Sequence, residues 1–384
     1  MTPIRFLLKA AVFATGLAAF LQVYSVQAIL PLLMRDLQAS EVEAGLAVGA
    51  TVLGVALMSP FIGMLSDAIG RKGLIVGSLL FLGLPTATMA GVTDIGQMLI
   101  CRFLQGVAIP GITVVLIAYI GEEFGGRVMT KLMSLYVAGT VLGGFLGRFI
   151  LGHLSEITGW RTACFVMAAL CAACALFVAK QLPASQHFVA KPQMGNALRT
   201  LKSHLRNRRL LAACGLGACV LWSLVGCFTY INLHLAEAPY RLDSGSLANI
   251  FSVYLIGMVI TPLSARLISR FGSTRAVMVA VGLSMAGVAA TLLSPLPVIV
   301  AALTAMSSGV FITQAATINY IAANVQEGRS LASGLYYMGY YGGGTLGAWF
   351  CGLAYTQAGW PGVVWLLLAV QLCAVLIAKF GMEQ

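Results

Sequence analysis

Charge is what this chain has least of. Only 9% of its 384 residues are Asp, Glu, Lys or Arg, against 59% hydrophobic, where soluble domains carry about 25% and about 45–50%. A water-soluble globular fold is excluded. Acids are the scarcer sign, with 12 Asp and Glu against 23 Lys and Arg. By the bounds of the apolar runs, none of those acids falls in the middle of a helix, so a membrane-buried carboxylate site is missing. Also absent are G-x-x-x-x-G-K-[ST], H-E-x-x-H and G-x-S-x-G, the elements of phosphate-loop, zinc-peptidase and serine-hydrolase chemistry. No enzyme activity, cofactor or metal is expected. The nine cysteines, including the Cys171 and Cys174 pair, all sit in apolar runs, where cysteine behaves as a small buried hydrophobe.

What remains is apolar sequence in long runs. A crossing needs about 20 such residues, and the runs bounded by charge, Gly and Pro predict spans at 9–33, 44–66, 73–93, 96–118, 129–154 and 161–182. A second set follows at 209–236, 245–268, 275–294, 297–323, 330–355 and 361–380. Between the sets lies a basic linker, 183–208, with Lys191, Arg199, Lys202, Arg206 and Arg208. The expected organisation is an all-α membrane protein: a bundle of six helices over 1–182, the linker, and a second bundle over 209–384. The first run follows Arg5 and Lys9 as a signal peptide would, but it continues past Pro31 to Leu33, too long for an h-region.

The net charge of +11 points to orientation rather than to nucleic acid. With the N-terminus inside, 18 bases lie on the cytoplasmic side and Arg35, Arg161 and Arg241 outside, while Arg102 and Arg148 lie within the membrane. This bias follows the positive-inside rule and places both termini in the cytoplasm. The halves also repeat. Leu135, Tyr136, Gly139, Gly143, Gly144, Leu146, Gly147, Gly152, Gly159 and Trp160 recur without a gap as Leu335, Tyr336, Gly339, Gly343, Gly344, Leu346, Gly347, Gly352, Gly359 and Trp360. Helix 11 is thus a copy of helix 5, and parallel repeats with a site between them are an architecture of secondary transporters. The glycines suit close helix packing.

Between helices 2 and 3 runs Gly63-Met64-Leu65-Ser66-Asp67-Ala68-Ile69-Gly70-Arg71-Lys72, and helix 4 carries Arg102-Phe103-Leu104-Gln105-Gly106. The first closely resembles the G-x-L-(a)-D-r-x-G-r-k loop of the major facilitator superfamily, and the second its R-x-x-Q-G element. Gln27-Ala28-Ile29-Leu30-Pro31 and the Gly147-Arg148 pair are similar to small bacterial twelve-helix efflux permeases of the drug/proton antiporter branch. The resemblance implies the major facilitator fold, residence in a bacterial inner membrane and action as a monomer. It also implies a cytoplasmic gate in which Asp67 and Arg71, with Gly63, Gly70 and Lys72, dock on helix 11, with Arg329, Glu122 and Glu123 as partners. Departures are Ala68 in place of the usual base and Ser269 where the second-half counterpart of Asp67 would stand.

Arg102 and Arg148 are the sharpest signals in the residues themselves. A charge at a helix centre costs on the order of 2.5–3.5 kcal/mol, which marks a functional site by default. Both lie about 9 Å from the outer ends of their helices at about 1.5 Å per residue, so they can share a level. The alternative is a structural strut paired with Asp36 or Glu156. With no buried acid, the expected substrate is a neutral or anionic small molecule. Tyr24, Gln27, Gln105, Asn232, Tyr254, Gln314, Asn319, Tyr336, Tyr337, Tyr340 and Tyr341 are the further candidates for a mixed polar and aromatic cavity, packing and interfacial belts being the alternative for the tyrosines. The function expected is proton-coupled export by alternating access. Uptake or exchange of a small anionic metabolite, and a membrane sensor without transport, remain alternatives.

Overall fold

The computed structural model describes residues 6–186, 202–325 and 329–382, and only the backbone of Met64, Asp67, Arg329 and Ser330. Much of the basic linker therefore lies outside the described residues. The described residues contain helices and no strand. Helix α1 runs over Phe6–Val23 and continues through a 3-10 turn, Ser25–Ile29, into Leu30–Leu37. Then come α2 (Glu41–Ile69), α3 (Arg71–Thr88), α4 (Ile95–Glu123), α5 (Gly126–Thr158), α6 (Trp160–Gln181) and α7 (Arg208–Ala236). Helix α8 is again broken, with Ser244–Ile250, a 3-10 turn Phe251–Leu255, and Ile256–Phe271. Next are α9 (Ser273–Ala290), α10 (Leu296–Asn324) and a continuous run, Arg329–Gly381, that leaves helical geometry at Ala358 and Gly359. Its 53 residues would span about 80 Å at about 1.5 Å each, far beyond a bilayer. They form two helices, α11 (329–357) and α12 (360–381).

The ends of these helices are written locally. Ser40 and Glu43 make a reciprocal capping box at the start of α2, which satisfies two otherwise orphaned N–H groups. Gly70 ends α2 at φ 98°, a conformation glycine adopts without a Cβ clash. Gly272 repeats this between α8 and α9 at φ 79°. The outer wall inverts the rule for soluble proteins: Leu84, Ile100, Trp365 and Phe380 are among many large apolar side chains left exposed, as hydrocarbon contact requires.

The repeated glycines bring two helix pairs into backbone contact. A Cβ at Gly139, Gly143 or Gly147 of α5 would collide with the carbonyls of Phe13, Leu17 and Leu21 in α1. In the second half, Gly339, Gly343 and Gly347 of α11 meet Cys214, Ala218 and Trp222 of α7 at the matching places. Gly144 and Gly344 lie on other faces. Gly144 looks toward its own Arg148 side chain, and Gly344 meets Leu221 of α7 and Val52 of α2.

Antiparallel order puts Phe6, Gly70, Gly125 and Gly272 at one end of the molecule, the near end, and Ser40, Asp94, Gly159, Asp243 and Gly359 at the far end. The halves meet toward the far end. A Cβ on Gly49 of α2 would lie 3.0 Å from that of Ala348 in α11, and one on Gly352 would lie 3.1 Å from Val42 Cα. Gly152 of α5 packs on Ser244 and Ala248 of α8, and the Ser244 hydroxyl donates to the Gly152 carbonyl at 3.2 Å. Toward the near end, Gly63 of α2 and Gly334 of α11 face open space, with nothing within 4 Å of an added Cβ.

Candidate functional site

Helix α1 leaves helical geometry at Tyr24 (φ −118°, ψ 9°), tightens into its 3-10 turn and restarts at Leu30 with Pro31 in the first turn. Carbonyls at the break lose their helical donors. Arg102, fully buried in α4, supplies replacements. Its Nη1 donates to Gln22 O at 2.8 Å and its Nη2 to Val23 O at 2.5 Å. Nε donates to Ala47 O of α2 at 2.9 Å, and Nη1 also reaches Gln105 Oε1 at 2.5 Å. Gln105 is fixed in turn by donating to Thr86 Oγ1 at 2.7 Å. Arg102 thus braces carbonyls of α1 and α2, and its hydrogen bonds go to neither Asp36 nor Glu156. The Asp36 carboxylate instead accepts from Trp160 Nε1 at 2.9 Å and Arg35 Nε at 3.0 Å.

Arg148 meets the next stretch of α1. It stands after Gly147, whose missing side chain lets α5 approach α1, and is 1% exposed. Its Nε donates to Gln27 Oε1 at 2.8 Å and its Nη1 to Gly144 O. Nη2 has no hydrogen-bond partner. The guanidinium carbon lies 4.8, 4.4 and 4.5 Å from the ring centres of Tyr24, Phe251 and Tyr254, within cation–π range. Phe251 and Tyr254 project from the 3-10 turn of α8, so a cation of the first half lies against one ring of its own half and two of the second. The Gln27 amide extends this bridge by donating to Thr229 Oγ1 of α7 at 3.0 Å, while Asn232 Nδ2 donates to Gln27 O at 3.2 Å. Asn232 Oδ1 is buried without a partner.

Tyr24, Gln27, Arg148, Asn232 and Tyr254 are therefore brought together. Arg102 and Gln105 form the adjacent brace. Tyr336, Tyr337, Tyr340 and Tyr341 make a cluster on α11, with Tyr336–Tyr337 and Tyr340–Tyr341 ring centres 5.4 and 5.3 Å apart, and Tyr340 and Tyr341 lie within electrostatic reach of Tyr24. The Tyr336 ring covers Gly217 of α7, and its hydroxyl is buried and unpartnered. Gln314 is half-buried on α10, and Asn319 is exposed with its amide donating to Ala315 O of the same helix at 2.9 Å. Neither joins the Arg148 cluster. Phe251 and Thr229 were not legible as site residues, because an apolar ring and a helix threonine carry no signal until the other half is placed beside them.

At the near end, Arg71 is largely buried. It donates from Nε to Glu122 Oε2 at 3.0 Å and from Nη1 to the Ser66 hydroxyl. Lys72 beside it is half-buried. Glu123 accepts from the Gln186 backbone N–H at 2.8 Å. A Cβ on Gly63 would have nothing within 4 Å. The Asp67 and Arg329 side chains lie outside the described residues.

The comparisons with known proteins agree with this architecture. The chain is 29% identical over 368 residues to the inner membrane transport protein YnfM of Escherichia coli (strain K12), covering 96% of this chain and 88% of that one. Over 122 residues it is 33% identical to the multi-drug resistance efflux pump PmrA of Streptococcus pneumoniae serotype 4 (strain ATCC BAA-334 / TIGR4), 31% of this chain and 30% of that one. In structure it matches the nucleoside transporter NupG with a TM-score of 0.79 at 15% identity, covering 98% of this chain and 100% of that one. The sequence pattern of the Major Facilitator Superfamily matches residues 12–327 and again 236–382, and the chain belongs to that family of transporters.

Proposed function

We propose that the protein is a secondary active transporter of the bacterial inner membrane that exports a small neutral or anionic organic solute by alternating access, coupled to proton entry. The observation that carries this reading is the one-sided seam. The halves are packed at Gly49–Ala348 and Gly152–Ser244, while Gly63 and Gly334 face open space. With the basic linker and both termini cytoplasmic, this is the inward-open member of an alternating pair, working as a monomer divided at 183–208. Likeness to an efflux pump over part of the chain favours export. Each proton crossing supplies about 2.3 kcal/mol per 100 mV, more than the roughly 1.4 kcal/mol of a tenfold solute gradient. The unpaired Arg148 favours, as a second reading, uptake or exchange of an anionic metabolite.

Flux in proteoliposomes across a panel of neutral, anionic and cationic solutes tests transport, and reversing the proton gradient tests direction. Export requires accumulation on the side from which protons are supplied. Flux indifferent to the proton gradient removes the coupling, and its absence across the panel leaves the membrane sensor. For the topology, a cysteine at Ser203 should resist impermeant reagents in intact cells.

A further inference from the structure

We infer that the Arg148 guanidinium is the anion-recognition group of the translocation path, and that its ligand is a small monocarboxylate with a flat aromatic or apolar body. The inference rests on the transporter reading and narrows its substrate class. Arg102 and Arg148 touch nearby residues of α1, are both buried and have no salt bridge among the described residues, but only Arg102 has all three guanidinium nitrogens hydrogen-bonded. Arg102 has four hydrogen bonds, three of them to main-chain carbonyls. Arg148 has hydrogen bonds at Nε and Nη1, an unpartnered Nη2, and no salt bridge among the described residues. A buried donor without an acceptor is costly, so the site is incomplete until an acceptor reaches Nη2, and a carboxylate brings the countercharge as well.

The surroundings define that acceptor. Three ring faces within 4.8 Å of the guanidinium present apolar area to a flat body, and their cation–π hold is weaker than a charge-assisted bond to a carboxylate. A ligand can therefore displace it. The neighbouring Arg102 is held by the carbonyls of Gln22, Val23 and Ala47, so Arg148 alone is left to match a single negative charge, whereas a dianion would bring one unpaired charge into a dry site. Asn232 Oδ1, buried and unpartnered, is an acceptor for a ligand hydroxyl or N–H. Because Tyr24 and Gln27 belong to one half and Phe251, Tyr254 and Asn232 to the other, a carboxylate on Arg148 would touch both halves. Occupancy can then bias their arrangement.

Equilibrium binding of benzoate and phenylacetate to the purified full-length protein, against benzamide, phenylacetamide and benzylamine, tests this. The acids should bind at least about tenfold tighter than their amides, and the amine weakest. Arg148→Gln should reduce the acids to the level of the amides, and an unchanged monodisperse elution profile reports that the variant is folded. Arg148→Lys, the milder change, should lose part of the preference because the planar fork is gone. Amides that equal the acids in the wild type, or an acid preference unchanged in either variant, overturn the inference. Spin labels reporting movement between the halves provide the separate readout. Halves that alternate without carboxylate binding remove this inference and leave the transport reading standing. Halves that never alternate remove the transport reading and, with it, any part for Arg148 in translocation.

Discussion

Two arginines on neighbouring helices look alike in sequence and differ in what they can do. Arg102→Met removes the side-chain donor to the Val23 carbonyl and one of two to the Gln22 carbonyl, which keeps Ser25 Oγ at 3.2 Å, and a stranded buried group costs about 1–3 kcal/mol. Thermal inactivation of the purified variant should therefore come several degrees earlier than wild type, by a wider margin than for Arg148→Gln, which removes a group that already lacks a partner at Nη2. Equal losses in the two variants would place both arginines in the scaffold. The presence of two intramembrane cations was legible because Arg interrupts runs of apolar residues. Their separate roles were not. Hydrogen bonding by Arg102 depends on where α1 breaks, and the enclosure of Arg148 depends on rings some 100 residues further along. Pro31 was the one local mark of the break, since proline fits the first turn of a restarting helix.

At the scale of helices, the glycine repeat told more than composition did. Its spacing of four predicted close packing, and Gly139, Gly143 and Gly147 do lie against the α1 backbone. Gly143→Val should force α1 and α5 apart and lower folded yield sharply, as should Gly343→Val through Ala218 of α7, whereas Gly63→Ala should leave stability within about 0.5 kcal/mol because open space faces it. Comparison of monodisperse yield after purification checks all three. The same glycine pattern could not say that Gly344 faces the other half, since repeats encode similarity within each half and not the contact between them. At the start of α8, Asp243 Oδ1 accepts from the Ser246 N–H at 2.7 Å. That backbone hydrogen bond, helped by the nearby His153, lowers the carboxyl's pKa below its usual value. A carboxyl lowered on folding stabilises the folded form above its unfolded pKa of about 3.9 and loses that effect as pH falls through the lower folded value. Asp243→Asn keeps a good capping residue without titrating. The contribution of the Asp243 carboxylate, read as the stability difference between wild type and Asp243→Asn, should be lost as the pH falls below about 4.

For the whole molecule, the number of crossings, their boundaries to within a few residues and the six-plus-six order were all legible from hydropathy and charge. What the sequence withheld was which end is closed, because that is a property of two bodies rather than of one chain segment. The one-sided seam also predicts a lock: with the native cysteines replaced, a disulfide between Gly49→Cys and Ala348→Cys should stop movement between the halves, and reduction should restore it. The most direct test of alternation uses two pairs of spin labels in the reconstituted protein, one at Ala39 and Gln357 on the far end and one at Lys72 and Ser333 toward the near end. Distance distributions recorded across pH and with benzoate present should contain two populations at each end, with far-end opening matched by near-end closing. A single, unchanging distance at both ends under all conditions would contradict the account.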